Sequence, residues 1–409
     1  MIDTAVNFPF LVLLVGTLIV INIFIKSWFG RWGIPSLVGY ILLGFLLRIT
    51  DVQQGFLTLP VMEIFEFLAT IGVITLLFRI GLESNLSGLI HQIRHASIIW
   101  VGNVFLSGFL GFVVPYLFIK LALIPSMFIA IALTATSVGL SVGVWQEADA
   151  LHSPTGELLT DVAELDDISG IVLMALLFAV VPVLKNGEHA SLVYLVSKEI
   201  GLIMINLIAF GMLCVLFSLY AEQHITHFFQ DIESASNPML VTVGTGFVIA
   251  ALAGLLGFSV AIGAFFAGLL FSRDPQAVKI DASFGALYEF FSPFFFIGVG
   301  LHIDPGAVTT AIGLGTVLLI VAVVGKVIGG GVPTWMVMGW SSAVLLGVSI
   351  VPRAEIAMII MQRGLNLGEW AVPHNVFAAM VMVTAVTCTL TPLAVRFLLQ
   401  RWPQIEEDT

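Results

Sequence analysis

Hydrophobic residues run along this chain in long unbroken blocks, with polar residues gathered in short stretches between them. An α-helix needs ~20 predominantly apolar residues to cross a bilayer. By that measure the pattern predicts thirteen spans, near 8–26, 34–48, 63–82, 97–119, 125–145, 157–183, 197–220, 238–257, 259–273, 285–303, 309–330, 339–361 and 374–398. The division between the two blocks of 238–273 is the least marked. A membrane β-barrel would show alternating segments of about ten residues, and no such alternation occurs. The spans are therefore helices, because lipid leaves no other open structure with its backbone satisfied.

An odd number of spans puts the two termini on opposite sides. Lys26, Arg31, Arg94, Arg273, Lys279, Arg396 and Arg401 fall on the side of the C-terminus, whereas Arg48, Lys120, Lys185 and Arg363 fall on the other. Basic residues collect on the cytoplasmic side, so the N-terminus is expected outside and the C-terminus in the cytoplasm of a cell with an inner membrane. The first span has no basic n-region or small-residue cleavage site, which reads as a retained helix rather than a signal peptide.

Composition agrees with the pattern: 59% of residues are hydrophobic and 10% charged, against roughly 25% charged in soluble domains, and the mean hydropathy is +1.09. The net charge of −11 lies largely in Glu222, Asp231 and Glu233 and in the tail Glu406-Glu407-Asp408. It argues against a nucleic-acid partner. Cys214 and Cys388 both sit in apolar blocks, so no disulfide framework is implied. No soluble segment follows the thirteenth span, so a nucleotide-sensing regulatory domain is expected either to be missing from this sequence or to be carried by another chain.

The two halves resemble each other. Val38-Gly39-Tyr40-Ile41-Leu42-Leu43-Gly44-Phe45 in the second span matches Ile262-Gly263-Ala264-Phe265-Phe266-Ala267-Gly268-Leu269 in the ninth. The third span closes on Phe78-Arg79-Ile80-Gly81-Leu82 and the tenth on Ile297-Gly298-Val299-Gly300-Leu301. Both matches pair a span with the one seven later, an odd offset that inverts the second copy, as in many transporters. The chain thus divides into a first repeat at 8–183, a connector at 197–220 and an inverted repeat at 238–398, together one transmembrane transport domain. Glycines at four- or five-residue spacing also serve close helix packing, but two matches at one offset favour the repeat.

The same offset relates the fifth span, with Thr134-Ala135-Thr136-Ser137-Val138-Gly139-Leu140-Ser141, to the twelfth, with Val351-Pro352-Arg353-Ala354-Glu355. Proline removes a helical hydrogen bond and crowds the preceding turn. Interrupted helices at matching positions of two halves point to a transporter binding site. The plainer readings are a hydroxyl-lined packing face and a simple kink; a kink leaves Arg353 and Glu355 unexplained.

Chemistry concentrates in few residues. Asp166 and Asp167 lie inside the sixth span and Lys326 near the middle of the eleventh. A charge at mid-membrane costs ~3 kcal/mol or more and needs a partner. Adjacent helical residues point about 100° apart, so one aspartate can pair with Lys326 while the other faces water. A carboxylate so placed can hold a proton or a small hard cation, one at a time. Asp161, Glu164 and Asp167 recur every three residues, which makes Asp161 and Glu164 either an acidic vestibule on the cytoplasmic side or merely solvated residues of the first turns. His224 and His227 read as surface residues, His91 and His95 beside Arg94 as a solvated edge, and Glu289 with Ser292-Pro293 as a polar break or a packing contact.

These motifs resemble the monovalent cation:proton antiporter superfamily, in the branch of NapA-type Na+/H+ antiporters and Kef-type K+/H+ systems. Ala163-Glu164-Leu165-Asp166-Asp167, the break from Thr134 to Ser141, Lys326, Pro352-Arg353-Ala354-Glu355 and Ser292-Pro293-Phe294-Phe295-Phe296 with Gly300-Leu301 carry the likeness. The resemblance implies an all-α polytopic membrane protein of about thirteen helices, with an inverted repeat and two crossed discontinuous helices (an NhaA/NapA-like antiporter fold). It implies that Asp167 binds Na+ or H+, that Asp166 makes a switchable salt bridge to Lys326, that Thr136 and Ser137 line the site and that Arg353 and Glu355 support the crossing helices. It further implies a homodimer in membrane lipid, elevator-like alternating access, no cofactor beyond the transported ions and no enzymatic activity. Asp-Asp members are generally electrogenic, moving two protons per Na+, and serve pH and sodium homeostasis.

The expectation is an antiporter exchanging Na+ or Li+ for H+. Its rivals are a K+/H+ antiporter of the same superfamily, from whose Kef-type members the missing regulatory domain departs, and a sodium-coupled organic-anion symporter of a related fold. An intramembrane aspartyl protease needs two carboxylates facing across one water from separate helices, which adjacent residues do not provide. A channel suits a continuous pore better than an inverted repeat with broken helices.

Overall fold

The computed structural model describes residues 8–83, 89–137, 139–185, 238–255, 259–271 and 277–404, with isolated positions 201, 205, 209 and 212. Among them the helices are α1 (Phe8–Arg31), α2 (Ser36–Gln54), α3 (Leu59–Glu83), α4 (Leu89–Val113), α5 (Leu123–Thr134), α6 (Gly139–Glu147), α7 (Pro154–Lys185), α8 (Pro238–Leu255), α9 (Val260–Phe271), α10 (Ala277–Leu301), α11 (Val308–Met338), α12 (Trp340–Ser349), α13 (Glu355–Leu367) and α14 (His374–Arg401). Twelve of the thirteen predicted spans coincide with these helices, the fifth and twelfth each as two half-helices. The blocks of 238–273 are two helices. The connector at 197–220 lies largely outside the described residues, as do Cys214, His224, His227 and the side chain of His91. Among the described residues nine stretches are long and apolar enough to cross a membrane, with shorter apolar helices at Thr242–Leu255, Val260–Phe271 and Trp340–Ser349.

Local sequence explains where the helices stop and where they do not. The α2 helix ends at Gly55, whose φ of 64° is one that glycine adopts without strain. Pro115 lies in a π-helical turn, Val114–Phe118, that closes α4. Pro182, Pro293, Pro333 and Pro392 all lie inside continuous helices. A proline in a membrane-spanning helix thus need not end it, since neighbouring helices can re-satisfy the freed carbonyl. The α10 helix runs through Ser292-Pro293, and the Phe291 carbonyl packs against Gly72 of α3. That place is therefore a helix-packing contact and not a polar break.

The described residues form two compact units. One comprises those of Met1–Leu13, Leu57–Leu86 and Phe178–Gly298; the other those of Leu14–Phe56, Ser87–Leu177 and Val299–Thr409. In the first unit α3 crosses α9 so closely that a Cβ on Gly81 would collide with the Phe265 carbonyl and lie 2.8 Å from the Leu269 nitrogen. In the second, a Cβ on Gly300 would collide with the Ile41 carbonyl and lie 2.7 Å from the Phe45 nitrogen. Gly81 and Gly300 are matched positions of the two halves, and so are Phe265 with Ile41 and Leu269 with Phe45. The same backbone-to-backbone contact thus occurs twice, each time between a helix of one half and a helix of the other, and only glycine is small enough for it.

Within the second unit α11 packs on α4 through glycines. A Cβ on Gly102 would lie 2.8 Å from the Gly329 carbonyl, and one on Gly329 would lie 2.9 Å from that of Gly102. This approach brings the neighbours Asn103 and Lys326 into one buried layer. An apolar cluster including Ile99, Trp145, Leu159, Val162, Leu346 and Leu399 ties α4, α6, α7, α12 and α14 together at one end.

Candidate functional site

The two helix breaks cross each other. Between α5 and α6 the chain is non-helical after Thr134, and between α12 and α13 it is non-helical from Ile350 to Ala354. The Ser137 N–H donates to the Pro352 carbonyl at 3.0 Å, joining the two extended segments directly. The Ser141 hydroxyl donates to the Ser349 carbonyl at 2.6 Å, and the Trp145 indole donates to the Ser349 hydroxyl at 2.9 Å. Proline at 352 has no N–H to give, so that position contributes only its carbonyl to the crossing.

A helix end leaves carbonyls unsatisfied and carries a partial negative charge. At both breaks a buried cation meets that end. The Lys326 ammonium, from α11, donates to the Thr134 carbonyl at 2.7 Å and to the Thr136 hydroxyl at 2.6 Å. The Arg353 guanidinium donates through Nη1 to the carbonyls of Ile350, Val351 and Pro352 at 3.2, 2.9 and 3.0 Å. Both side chains are wholly inaccessible. The backbone of Arg353 is fixed in turn: its N–H donates to the Thr387 hydroxyl and its carbonyl accepts from the Cys388 thiol, both at 3.2 Å.

The adjacent aspartates behave differently. Asp166 is fully buried and forms an ion pair with Lys326 at 3.0 Å. Its Oδ2 also accepts from the Thr136 hydroxyl at 2.5 Å and from the Asn103 amide at 2.6 Å. Asp167 is half-buried and makes no hydrogen bond to another described residue. The 100° turn between neighbours on α7 thus sends one carboxylate to the lysine and leaves the other open. Among the described residues no cluster of three His, Cys, Asp or Glu suits a tightly held metal ion.

Of the remaining residues singled out in the sequence, Ser137 donates its hydroxyl to Glu355 at 2.7 Å. Glu355 opens α13, where a carboxylate favours the positive end of the helix. Arg353 directs Nη1 to backbone carbonyls, while its Nε and Nη2 are buried without a hydrogen-bond partner among the described residues. Asp161 and Glu164 are half-buried on α7, the helix that carries the aspartate pair.

Sequence reading passed over the contribution of α4. Asn103 is fully buried on Asp166. One turn away the Trp100 indole donates to the Ser169 hydroxyl at 3.0 Å, which donates to the Asp166 carbonyl at 3.0 Å. The available signal was that Asn103 is the one asparagine in the apolar block 97–119, and a polar side chain inside a span tends to bond across helices.

Comparison with known proteins identifies the family and the fold. The family model described as sodium/hydrogen exchanger, transmembrane, matches residues 14–401. The high-affinity Na+/H+ antiporter NhaS3 of Synechocystis is 28% identical over 341 residues, covering 81% of this chain and 70% of that one. A Na+/H+ antiporter of Enterococcus hirae is 27% identical over 369 residues, covering 90% and 92%. The structure of the sodium proton antiporter MjNhaP1 from Methanocaldococcus jannaschii superposes with a TM-score of 0.70 at 15% identity, over 97% of both chains. The last shares the fold.

Proposed function

The chain belongs to the transmembrane sodium/hydrogen exchanger family, and on that premise we propose that this multi-pass membrane protein exchanges Na+ or Li+ for H+ by alternating access. The observation that carries the proposal is the division of labour on α7: Asp166 is tied to Lys326 while Asp167, next to it, stands half-open beside two crossed helix breaks. Both relatives described above are named Na+/H+ antiporters, which favours Na+ over K+.

In this reading Asp167 binds Na+ and H+ in turn. Sodium at Asp167 draws on Asp166 as well, and the carboxylate then releases Lys326. The lysine and Asp167 together supply two protons per Na+, which makes the exchange electrogenic. Thr136 and Ser137 line the site, Arg353 and Glu355 support the crossing, and Asp161 with Glu164 forms the cytoplasmic vestibule. The halves 8–183 and 238–398 act as inverted repeats. The protein works as a homodimer in the lipid of the inner membrane, N-terminus outside and C-terminus in the cytoplasm, with an elevator-like movement and no bound cofactor. Its role is pH and sodium homeostasis.

The test is cation-driven dissipation of an imposed pH gradient in proteoliposomes, with Na+, Li+ and K+ compared across pH. Asp167→Asn is expected to abolish the exchange while leaving thermal unfolding unchanged. Exchange at the wild-type rate in that variant, or a flux requiring an organic anion, overturns the proposal.

A further inference from the structure

We propose that Asn103 is a positioning residue that holds Asp166 as a bare carboxylate once Lys326 has left it. The inference rests on the antiport reading above. Three donors converge on Oδ2 of Asp166, from Asn103, Thr136 and Lys326. Two of them are not independent, because the Thr136 hydroxyl itself accepts from the Lys326 ammonium. When the ammonium departs, that hydroxyl loses the partner that orients it. The Asn103 amide depends on neither: it comes from α4, an unbroken helix locked to α11 by the Gly102–Gly329 contact. It is therefore the donor to Oδ2 whose orientation owes nothing to the ammonium.

The consequence concerns competition. A neutral donor on a buried carboxylate stabilises the charged form against protonation. The charged groups around Asp166 are Lys326 on α11, Arg353 at the second break and Asp167 on its own helix; Glu355 and Glu164 act on Asp167. Asn103 and Thr136 reach it from α4 and the first break without charge. With Asn103 removed, Asp166 leans more heavily on the lysine, and sodium has to displace a more tightly held ammonium. The defect therefore falls on apparent sodium affinity and its pH dependence, and not on the maximal rate.

The experiment uses the full chain in proteoliposomes with Asn103→Leu, which keeps similar volume without a donor, Asn103→Ala as a second donorless variant, and Asn103→Gln, which restores the amide. Trp100→Phe serves as comparison, since it breaks a bond of the same α4–α7 contact that does not touch the Asp166 carboxylate. Loss of a hydrogen bond to a charged group corresponds to roughly tenfold in an equilibrium. The expected result is an apparent KM for Na+ raised about tenfold near neutral pH in the donorless variants, a pH profile moved to the alkaline side, and kcat at saturating Na+ and alkaline pH within about twofold. Asn103→Gln recovers part of the shift, and Trp100→Phe leaves the profile in place. Sodium-induced thermal stabilisation of the purified protein reads the same shift without transport. A wild-type profile in the folded donorless variants, or the same change in Trp100→Phe, overturns the inference. Absence of sodium-dependent exchange in the wild type instead overturns the antiport reading on which it rests.

Discussion

The two helix breaks are related by position in the halves, yet their cations are bound in opposite ways. At the second break Arg353 caps carbonyls of the three residues just before it, so ligand and ligated backbone belong to one short segment. At the first break Lys326 reaches the Thr134 carbonyl from a different helix, 192 residues away in sequence. Arginine does not lose its proton in proteins and spreads its donors in a rigid fork, whereas lysine is a point charge on a flexible stem that can give up its proton. A permanent counter-charge stands at one break and a removable one at the other. The lesson is that two similar breaks need not carry the same chemistry: the choice of cation gives one a rigid local cap and the other a reach from a distant helix.

That contrast breaks most visibly through stability. Arg353→Ala strips three buried carbonyls of their donor and is expected to destabilise the protein by about 3–5 kcal/mol, with little dependence on pH, as read by thermal unfolding in detergent. Lys326→Ala orphans Asp166 and costs a similar amount at alkaline pH. The loss shrinks on acidification, because protonation neutralises the orphaned carboxylate. Equal pH dependence in the two variants would erase the distinction between fixed and removable charge.

Away from the breaks the two halves are expected to respond alike. Gly81→Ala and Gly300→Ala each force a methyl group against a helix carbonyl, and each is expected to cost about 1–3 kcal/mol. A loss confined to one of them would show that the matched contacts do not bear equal weight. Ser137→Ala removes the hydroxyl shared between the breaks and leaves Glu355 short of a donor; the expected cost is about 1 kcal/mol. The smallest effect belongs to the Arg396–Glu147 pair, whose side chains are 52% and 67% exposed. Glu147→Gln is expected to stay within about 0.5 kcal/mol, and a larger loss would move the seat of stability from the buried crossing to the surface.

How much of this was legible beforehand differs from element to element. The spans were legible because a lipid-crossing helix must be long and apolar, and the matched glycines because a backbone contact admits no other residue. Asp166, Asp167 and Lys326 stood out because charge in lipid is rare and needs a partner. Asn103 and Trp100 were missed because a single amide or indole in an apolar block leaves no mark of what it bonds to. For Arg353, sequence proximity drew attention to Glu355, but two residues across a non-helical turn need not face each other, and the bare carbonyls at the end of α12 are the nearer acceptors.

The amino-acid sequence alone determined the class of the protein: many apolar helices, interruptions at 134–141 and at Pro352, and ionisable residues within the spans, among them Asp166, Asp167, Lys326, Arg353 and Glu355. Those follow from composition and period, which act locally and are felt by every residue in lipid. Which aspartate takes the lysine, which acceptors each buried cation serves and which neutral donor stands behind the ion pair were decided only by tertiary structure. The reason is geometric. Hydrogen bonds of 2.5–3.2 Å between segments far apart in sequence depend on the rotation and depth of whole helices, and no pattern within one helix sets its angle against the next.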